Sequence, residues 1–252
     1  MKKIILLSAS LLAIASLTAC ATSNVDKKIS SSNSLGSSAV KASSDVKTES
    51  NTESSTLEKI ASWAEKSIST DELYVTGDMN VGLDDSIKPG IYDMEILGGE
   101  GNIHGKHDGF HYPFNNYTAG APETRQLSKI RVLNFKGDVW QFSNISKVKF
   151  TAVPTATPQT EFYIGSWIVG RDINPGIYKL QSSQPLSAKN STEGWRIAIN
   201  DFDDASLDHK VKLTTSSPDV AVELREGNIV TIALDIFGIE DRKNARLQFI
   251  KQ

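Results

Sequence analysis

The sequence is poor in cysteine, in long apolar runs and in clustered basic residues. Cys20 is the only cysteine in 252 residues, which excludes an intramolecular disulfide framework and a zinc site built from several thiolates. Lys and Arg total 27 against 30 Asp and Glu, and the basic residues are scattered, which argues against a nucleic-acid partner. The apolar run Ile4 to Leu17 is shorter than the roughly 20 residues that a transmembrane helix needs. We therefore expect a fold that holds together without covalent cross-links.

The N-terminus has the parts of a secretory signal peptide. Lys2 and Lys3 precede the apolar run, and small residues follow it up to Cys20. We predict a signal peptide over residues 1–19. A cysteine standing by chance near the end of an ordinary signal peptide is the alternative interpretation.

The tetrapeptide Leu17-Thr18-Ala19-Cys20 resembles the lipobox of bacterial lipoproteins. The resemblance implies that the Cys20 thiol is lipidated and that Cys20 becomes the mature N-terminus. Two acyl chains, such as those of palmitate, anchor a protein stably because each buried methylene contributes about 0.8 kcal/mol. We therefore expect a lipid anchor that holds the chain to the outer face of the cell membrane.

Two segments separate Cys20 from the rest of the chain. Residues 20–55 are rich in Ser, Thr, Asn and Lys and lack the apolar surface that a packed core requires, which predicts a disordered tether. Ser55-Thr56-Leu57-Glu58 has the form of a helix capping box. Apolar residues then recur at helical spacing, so we predict a short amphipathic helix within residues 56–70. Its apolar face either docks on the following domain or binds a partner or a membrane surface.

The remainder of the chain contains an internal repeat. VGLDDSIKPGIYDM begins at Val81 and VGRDINPGIYKL begins at Val169, and VLNFKGDVWQF at Val132 corresponds to VELREGNIVTI at Val222. Pro-Gly pairs, Lys-Gly-Asp and Glu-Gly-Asn predict tight turns between runs of strand-forming residues. We predict an all-β fold of two tandem β-sandwich-like domains, residues 71–153 and 162–252, joined by a linker at residues 154–161.

The pattern G-x-W-x-V-G-x-D-I-x-P-G-x-Y, which the second repeat shows from Gly165 to Tyr178, is similar to a repeat in secreted and lipid-anchored proteins of Gram-positive bacteria. The second repeat matches this pattern better than the first, which has Met79 in place of Trp and an insertion at Asp85-Ser86. Those proteins are largely uncharacterised. The resemblance therefore implies an extracytoplasmic β domain without specifying an activity.

Three of the four histidines, His104, His107 and His111, lie in the segment HGKHDGFH. Imidazoles beside a carboxylate such as Asp108 suit zinc or a similar cation, so a metal site is one hypothesis. Exposed histidines on a polar loop are the other, and the neighbouring glycines predict such a loop. The second repeat has no histidine there, so any role belongs to the first repeat alone.

Other polar residues give weaker signals. The acidic segment from Asp201 to Asp208 lacks the Gly and Glu of an EF-hand, so we expect a solvated turn instead of a calcium site. Asp84 and Asp172 precede the two Pro-Gly turns, where we expect them to accept hydrogen bonds from turn amides. The chain lacks the Gly-x-Ser-x-Gly and His-Glu-x-x-His motifs of hydrolases. We predict no catalytic residue and no cofactor.

These observations favour a membrane-anchored extracytoplasmic lipoprotein that acts as a non-enzymatic binding or interaction module. A cell-wall polymer and an envelope protein are the candidate partners. The alternatives are a structural accessory subunit of an envelope complex and a metal-dependent hydrolase that uses the histidine segment. An exposed aromatic cluster including Trp140, Trp195 or Tyr112 would favour glycan binding, whereas a fully packed interior would favour an accessory role.

Overall fold

Strands account for nearly all regular structure in the computed structural model, which describes residues 56–83, 86–107, 116–202 and 204–252. The predicted signal peptide, Cys20 and the whole of the predicted tether lie outside these ranges. The described helices are α1 (Thr56–Ala64) and one 3-10 turn (Ala205–Leu207). No helix within the described ranges is both long enough and apolar enough to cross a membrane.

The strands, in chain order, are β1 (Leu73–Tyr74), β2 (Met79–Asn80), β3 (Gly90–Lys106), β4 (Asn116–Gly120), β5 (Lys129–Asn134), β6 (Val139–Ala152), β7 (Glu161–Phe162), β8 (Gly165–Ile168), β9 (Gly176–Ser182), β10 (Gly194–Asn200), β11 (His209–Thr214), β12 (Ala221–Leu224), β13 (Ile229–Leu234) and β14 (Leu247–Lys251).

The described strands form two sheets, which confirms the all-β prediction. The larger sheet has the order β1-β6-β3-β5-β8-β13-β10-β11, with β2 added to β6 and β4 added to β3. The smaller sheet has the order β12-β9-β14-β7. Strands of both repeats share the larger sheet, and residues 51–252 group into one compact unit. The expected division into two tandem domains is therefore not confirmed.

The junction between the repeats is the parallel pairing of β5 with β8, at Arg131 and Gly165. A side chain at Gly165 would overlap the backbone of Arg131, so this close approach requires glycine. The amide of Arg131 also donates to the carbonyl of Ile164 at 3.1 Å. The linker predicted at residues 154–161 leads into β7, which pairs with β14 of the second repeat, and β8 follows at Gly165.

The two repeats use equivalent strand registers. The corresponding Cα partners are Tyr92–Val132 with Tyr178–Val222, Met94–Phe150 with Leu180–Phe249, and Met79–Trp140 with Trp167–Val230. The apolar members of these pairs are buried or half-buried, as expected when alternate residues of a strand face the core. The sequence repeat is therefore also a repeat of strand pairing.

The repeats differ in the continuity of two strands. β3 pairs with β5 near its start and with β4 near its end, and its equivalent in the second repeat is split into β9 and β10. β6 likewise corresponds to β13 and β14 together. The chain that interrupts the strands of the second repeat comprises residues 183–193 and 235–246, which we call the interrupting loops.

The four glycines of GGEGNIHG, from Gly98 to Gly105, favour a loop on sequence grounds, but the segment lies within β3, so that expectation is wrong. The register between β3 and β6 shifts at Gly98, Gly99 and the residues up to Asn102, which marks a bulged bend. A side chain at Gly99 would overlap the carbonyl of Asn144, and one at Gly101 would overlap that of Ser143. Glycine is required here because β6 crosses closely, and not because the chain turns.

Helix α1 docks on both repeats, which confirms the prediction that its apolar face covers the following domain. Ile60 and Ala64 pack in one cluster with Ile91 and Leu133 of the first repeat and Ile168 and Ile229 of the second. The Trp63 ring stacks on Phe135 with 4.6 Å between centroids. The helix ends at Ala64, short of residue 70, because the chain beyond it bonds to the first repeat, where Ser67 Oγ accepts from the amide of Ile91 at 2.9 Å.

Candidate functional site

A groove of about 640 Å³ lies between the β3–β4 ribbon of the first repeat and the interrupting loops of the second. We call it the inter-repeat groove. Its volume falls within the roughly 300–1,000 Å³ of small-molecule sites. Buried side chains of Ile103, Tyr117 and Leu234 contribute to its lining. Burial raises the pKa of Tyr117, whose hydroxyl is hydrogen-bonded to Ser166, so β4 is fixed against β8 of the other repeat.

One wall of the groove is a ladder of uncharged polar side chains. Asn102 and His104 on β3 face Thr118 and Asn116 on β4 as cross-strand partners. Thr118 Oγ1 donates to Asn102 Oδ1 at 3.0 Å, and His104 Nδ1 bonds to Asn116 Oδ1. Ile103 and Tyr117 are buried while these four are at least partly exposed, because side chains alternate between the faces of a ribbon.

The other wall carries charged side chains that pair with one another. Asp235 Oδ1 lies 2.8 Å from Arg196 Nε, and its Oδ2 lies 3.4 Å from Lys212 Nζ. Arg196 and Lys212 are neighbours because they are cross-strand partners on β10 and β11. Glu193 precedes β10 and accepts a hydrogen bond from the Phe237 amide at 3.0 Å. This wall therefore has two acidic and two basic groups and no formal net charge.

The interrupting loop 235–246 holds two apolar side chains at the groove. Phe237 is 63% exposed and Ile236 is 48% exposed. A tight turn fixes them, since the Gly238 amide donates to the Asp235 carbonyl at 3.1 Å and the Asp235 amide donates to Gly194 at 2.9 Å. Together with the bond to Glu193, these contacts fix the backbone that carries the exposed Phe237 ring.

Arg242 connects the two walls from behind the groove. Its buried guanidinium donates to the carbonyls of Leu234 and Asp235 on one side, and to the Thr118 carbonyl and Gln126 Oε1 on the other. Burial lowers the pKa of Arg242 to about 10. Arg242 is therefore one of the contacts that hold the two walls together.

The predicted metal ligands do not all meet in the described part of the chain. His104 lines the groove and bonds to Asn116, whereas His107 pairs with Asp138 and packs its ring against Phe135 with 4.7 Å between centroids. His111 lies outside the described residues. Among the residues that are described, no three His, Cys, Asp or Glu side chains are grouped to hold a metal ion. The three-histidine site therefore stays a prediction.

Asp172 has the turn-capping role predicted for it. Its Oδ2 accepts from the Ile168 amide at 3.0 Å, while Oδ1 binds Arg171 and lies 3.4 Å from Arg131. Arg131 also binds Asp93 at 2.7 Å. Burial raises the pKa of Asp172 against the opposing effect of the two arginines. This cluster is paired and buried at the junction of the repeats, so we assign it a structural role. Asp84 lies outside the described residues.

The acidic segment from Asp201 to Asp208 forms a turn capped by its own side chains. Asp201 Oδ1 accepts from the Asp204 amide at 3.0 Å, and Asp208 Oδ1 accepts from the Asp201 amide at 2.9 Å. Asp204 Oδ1 accepts from the Ser206 amide at 2.9 Å. These bonds agree with the predicted solvated turn.

The two tryptophans considered for a glycan-binding platform are buried. Trp140 donates its indole N–H to Asn134 Oδ1, and Trp195 donates to Ser182 Oγ, each at 2.9 Å. Tyr112 lies outside the described residues. The exposed ring at the groove is Phe237, which the sequence reasoning did not single out. The sequence did contain a signal for it, because the second repeat is longer than the first in the segment before its final strand, and Phe237 lies in that extra length.

Comparisons of the chain with protein-family models, with curated proteins and with solved structures found no match. Function is therefore inferred from the geometry of the groove and from the sequence.

Proposed function

We propose that the chain is a membrane-anchored extracytoplasmic lipoprotein that acts as a non-enzymatic binding module at the cell envelope. The inter-repeat groove is its binding site. The observation that supports this proposal best is the exposed ring of Phe237, carried by a hydrogen-bonded turn, beside a ladder of polar side chains. Sites that bind small molecules combine apolar surface with a few placed polar groups in this way.

The groove chemistry favours binding over catalysis. General acid–base catalysis needs a carboxyl or imidazole group that can exchange a proton with the substrate. In the groove, Asp235 is held by two cations and Glu193 by a backbone amide. The His104 imidazole is bonded to Asn116. These groups are arranged to fix the walls and to orient a ligand.

A structural accessory subunit of an envelope complex is the second candidate. The burial of Trp140 and Trp195 favours it, because both large rings serve the packed interior. Such a subunit would bind an envelope protein through its surface, and the groove would not be needed. The metal-dependent hydrolase depends on His111 and has no comparable support.

The anchor is tested by the substitution Cys20→Ala in the full-length chain. A lipid on Cys20 predicts that this variant appears in the growth medium while the unsubstituted protein sediments with membranes. The measurement is immunoblotting of membrane and medium fractions. Equal retention of the two proteins on membranes would contradict lipid anchoring at Cys20.

The binding site is tested by sedimentation of the full-length Cys20→Ala protein with isolated cell envelopes. Adding Phe237→Ala should lower the bound fraction strongly, because it removes the exposed ring without disturbing the core. Tyr74→Ala is the matched control, since Tyr74 is 70% exposed on β1 and lies outside the groove. Equal loss in the two variants, or no loss in either, would contradict binding through the groove.

A further inference from the structure

The charge balance of the inter-repeat groove restricts the class of ligand. Asp235 lies within ion-pair distance of both Arg196 and Lys212. A ligand that formed an ion pair with one of these groups would compete with the existing pairs, and displacing a partner from a partly buried charge is costly. An uncharged ligand leaves them intact. The groove is thus suited to a neutral molecule.

The opposite wall is suited to hydroxyl groups. The side-chain oxygens of Asn102 and Asn116 already accept hydrogen bonds from Thr118 and His104. The amide NH₂ groups of the two asparagines remain as donors to a ligand, and the Thr118 oxygen remains as an acceptor. A hydroxyl can donate and accept at once, so neighbouring hydroxyls of one molecule can match this mixed set.

The Phe237 ring supplies a surface for an apolar face. A sugar ring has polar edges and a face made largely of C–H groups, and an aromatic ring packs well against such a face. The bond from the Phe237 amide to Glu193 and the turn order the backbone that carries this ring, which reduces the ordering entropy lost on binding.

A peptide ligand fits the groove less well. Extended peptides are usually bound by adding a strand to an open sheet edge. On β4, the strand of the groove that pairs only with β3, the Thr118 carbonyl already accepts from Arg242. Arg242 therefore occupies part of the edge that a peptide would need.

We propose that the inter-repeat groove binds an uncharged oligosaccharide segment of a cell-envelope glycan. This proposal rests on the proposed binding function and names the ligand class of that same site. Phe237 stacks on a sugar ring, Asn102, Asn116 and Thr118 bond to its hydroxyls, and the paired ions of the other wall discriminate against charged polymers.

The test uses the full-length Cys20→Ala protein and detergent-extracted cell envelopes divided into four samples. One is left untreated, one is digested with protease, one is treated with hydrofluoric acid to remove phosphodiester-linked polymers, and one is digested with a mixture of glycoside hydrolases. We expect undiminished binding to the first three samples and at least about ten-fold less binding to the fourth. Loss of binding after protease would identify a protein partner, and loss after hydrofluoric acid would identify an anionic polymer. Either result, or binding that resists the glycoside hydrolases, would overturn the proposal.

The soluble fragments from the glycoside-hydrolase digestion provide a direct probe. We expect the fragments that pass through both cation and anion exchangers to compete for binding. Competition found only in the fractions retained by an exchanger would overturn the neutral-glycan assignment.

Substitutions at Phe237 distinguish the glycan assignment from the broader proposal that the inter-repeat groove is a binding site. Phe237→Ala should weaken binding about ten-fold, which corresponds to about 1.4 kcal/mol, whereas Phe237→Trp should retain it because an aromatic face remains. Tyr74→Ala should bind normally, and thermal unfolding should confirm that all three variants are folded. If Phe237→Ala abolishes binding to untreated envelopes but neutral fragments do not compete, the groove remains a binding site and the glycan assignment fails. If the unsubstituted groove does not bind envelopes, the proposed function itself fails.

Discussion

In the first repeat, β3 and β6 run without interruption for 17 and 14 residues, whereas in the second repeat the equivalent residues are divided among four strands. The residues placed between those four strands supply Glu193, Asp235 and Phe237 to the groove. The uninterrupted repeat contributes a regular ladder of polar side chains, and the interrupted repeat contributes a rigid apolar turn. The comparison shows that the copied motif provides the framework, and that the candidate site arises where the copies diverge.

The turns that the two repeats share are equivalent down to single hydrogen bonds. The Tyr92 hydroxyl donates to the Lys88 carbonyl at 2.9 Å, and that of Tyr178 donates to the Asn174 carbonyl at 2.7 Å. Asp138 and Asn228 each accept a backbone amide at 2.8 Å through a side-chain oxygen. The two turns differ in the residues that surround them. The same substitution made at equivalent positions of both turns therefore measures how those surroundings change its effect on the free energy of unfolding.

The largest difference is expected between Gly90→Ala and Gly176→Ala. A side chain at Gly90 would overlap Ser67, with a Cβ only 3.0 Å from the Ser67 Cα, whereas one at Gly176 meets only the flexible end of Lys251 at 3.3 Å. We expect Gly90→Ala to lower the free energy of unfolding by about 3 kcal/mol or more and Gly176→Ala by about 1 kcal/mol. Urea denaturation of both variants measures this. Equal losses would show that the contact with Ser67 is easily relieved.

A smaller difference is expected between Tyr92→Phe and Tyr178→Phe. The Tyr92 hydroxyl also accepts from the Ile68 amide at 3.2 Å, so its removal breaks two hydrogen bonds, while removal of the Tyr178 hydroxyl breaks the one to the Asn174 carbonyl. We expect losses of about 2 and about 1 kcal/mol at neutral pH. Chemical denaturation of the two variants in parallel tests the order, which reversed values would contradict.

Tyr92 and Tyr178 also make the free energy of unfolding depend on pH. Burial raises the pKa of Tyr92 and of Tyr178 above the ordinary value of 10.0. The folded state therefore keeps each proton longer than the unfolded state does, and the resulting stabilisation is complete below pH 10 and is lost as the pH rises above it. In each Phe variant the free energy of unfolding should fall less steeply above pH 10 than in the unsubstituted protein. An unchanged slope would exclude a titrating contribution from that tyrosine.

An intermediate effect on the free energy of unfolding is expected at the turn position that is Asp138 in the first repeat and Asn228 in the second. Asn228 Nδ2 donates to Asp201 Oδ2 at 3.1 Å, so Asn228→Asp would place two carboxylates in contact. We expect a loss of about 1 kcal/mol in the free energy of unfolding. The double variant Asn228→Asp/Asp201→Asn should recover most of it, because a donor again faces an acceptor. Failure of the second change to recover stability would show that the loss arises elsewhere.

The smallest difference is expected between Gly137→Ala and Gly227→Ala. The two glycines have φ angles of 94° and 85°, and an added side chain would meet no atom within 4 Å at either position. Both variants should lose about 1 kcal/mol from backbone strain alone. Thermal unfolding should give closely similar shifts, and a clear difference would mean that the equivalent hairpins are not energetically equivalent.

The shared turns were predictable from sequence because their residues act locally. Pro-Gly pairs and the capping role of Asp172 depend on chain geometry within a few residues, and the apolar stripe of α1 follows from helical spacing. The bend of β3 was not predictable, because Gly99 and Gly101 respond to the close approach of β6. The groove also depends on distant pairing, since Arg242 connects strands separated by more than one hundred residues. His104 and His107 are close in sequence but bind different partners.

The pairing of β5 with β8 has a consequence during synthesis of the chain. β5 leaves the ribosome before β8, so a nascent first repeat presents an open strand edge until Gly165 can approach Arg131. Open edges recruit strands from other molecules, and partly folded chains aggregate by that route. In this sense the second repeat protects the first from self-association.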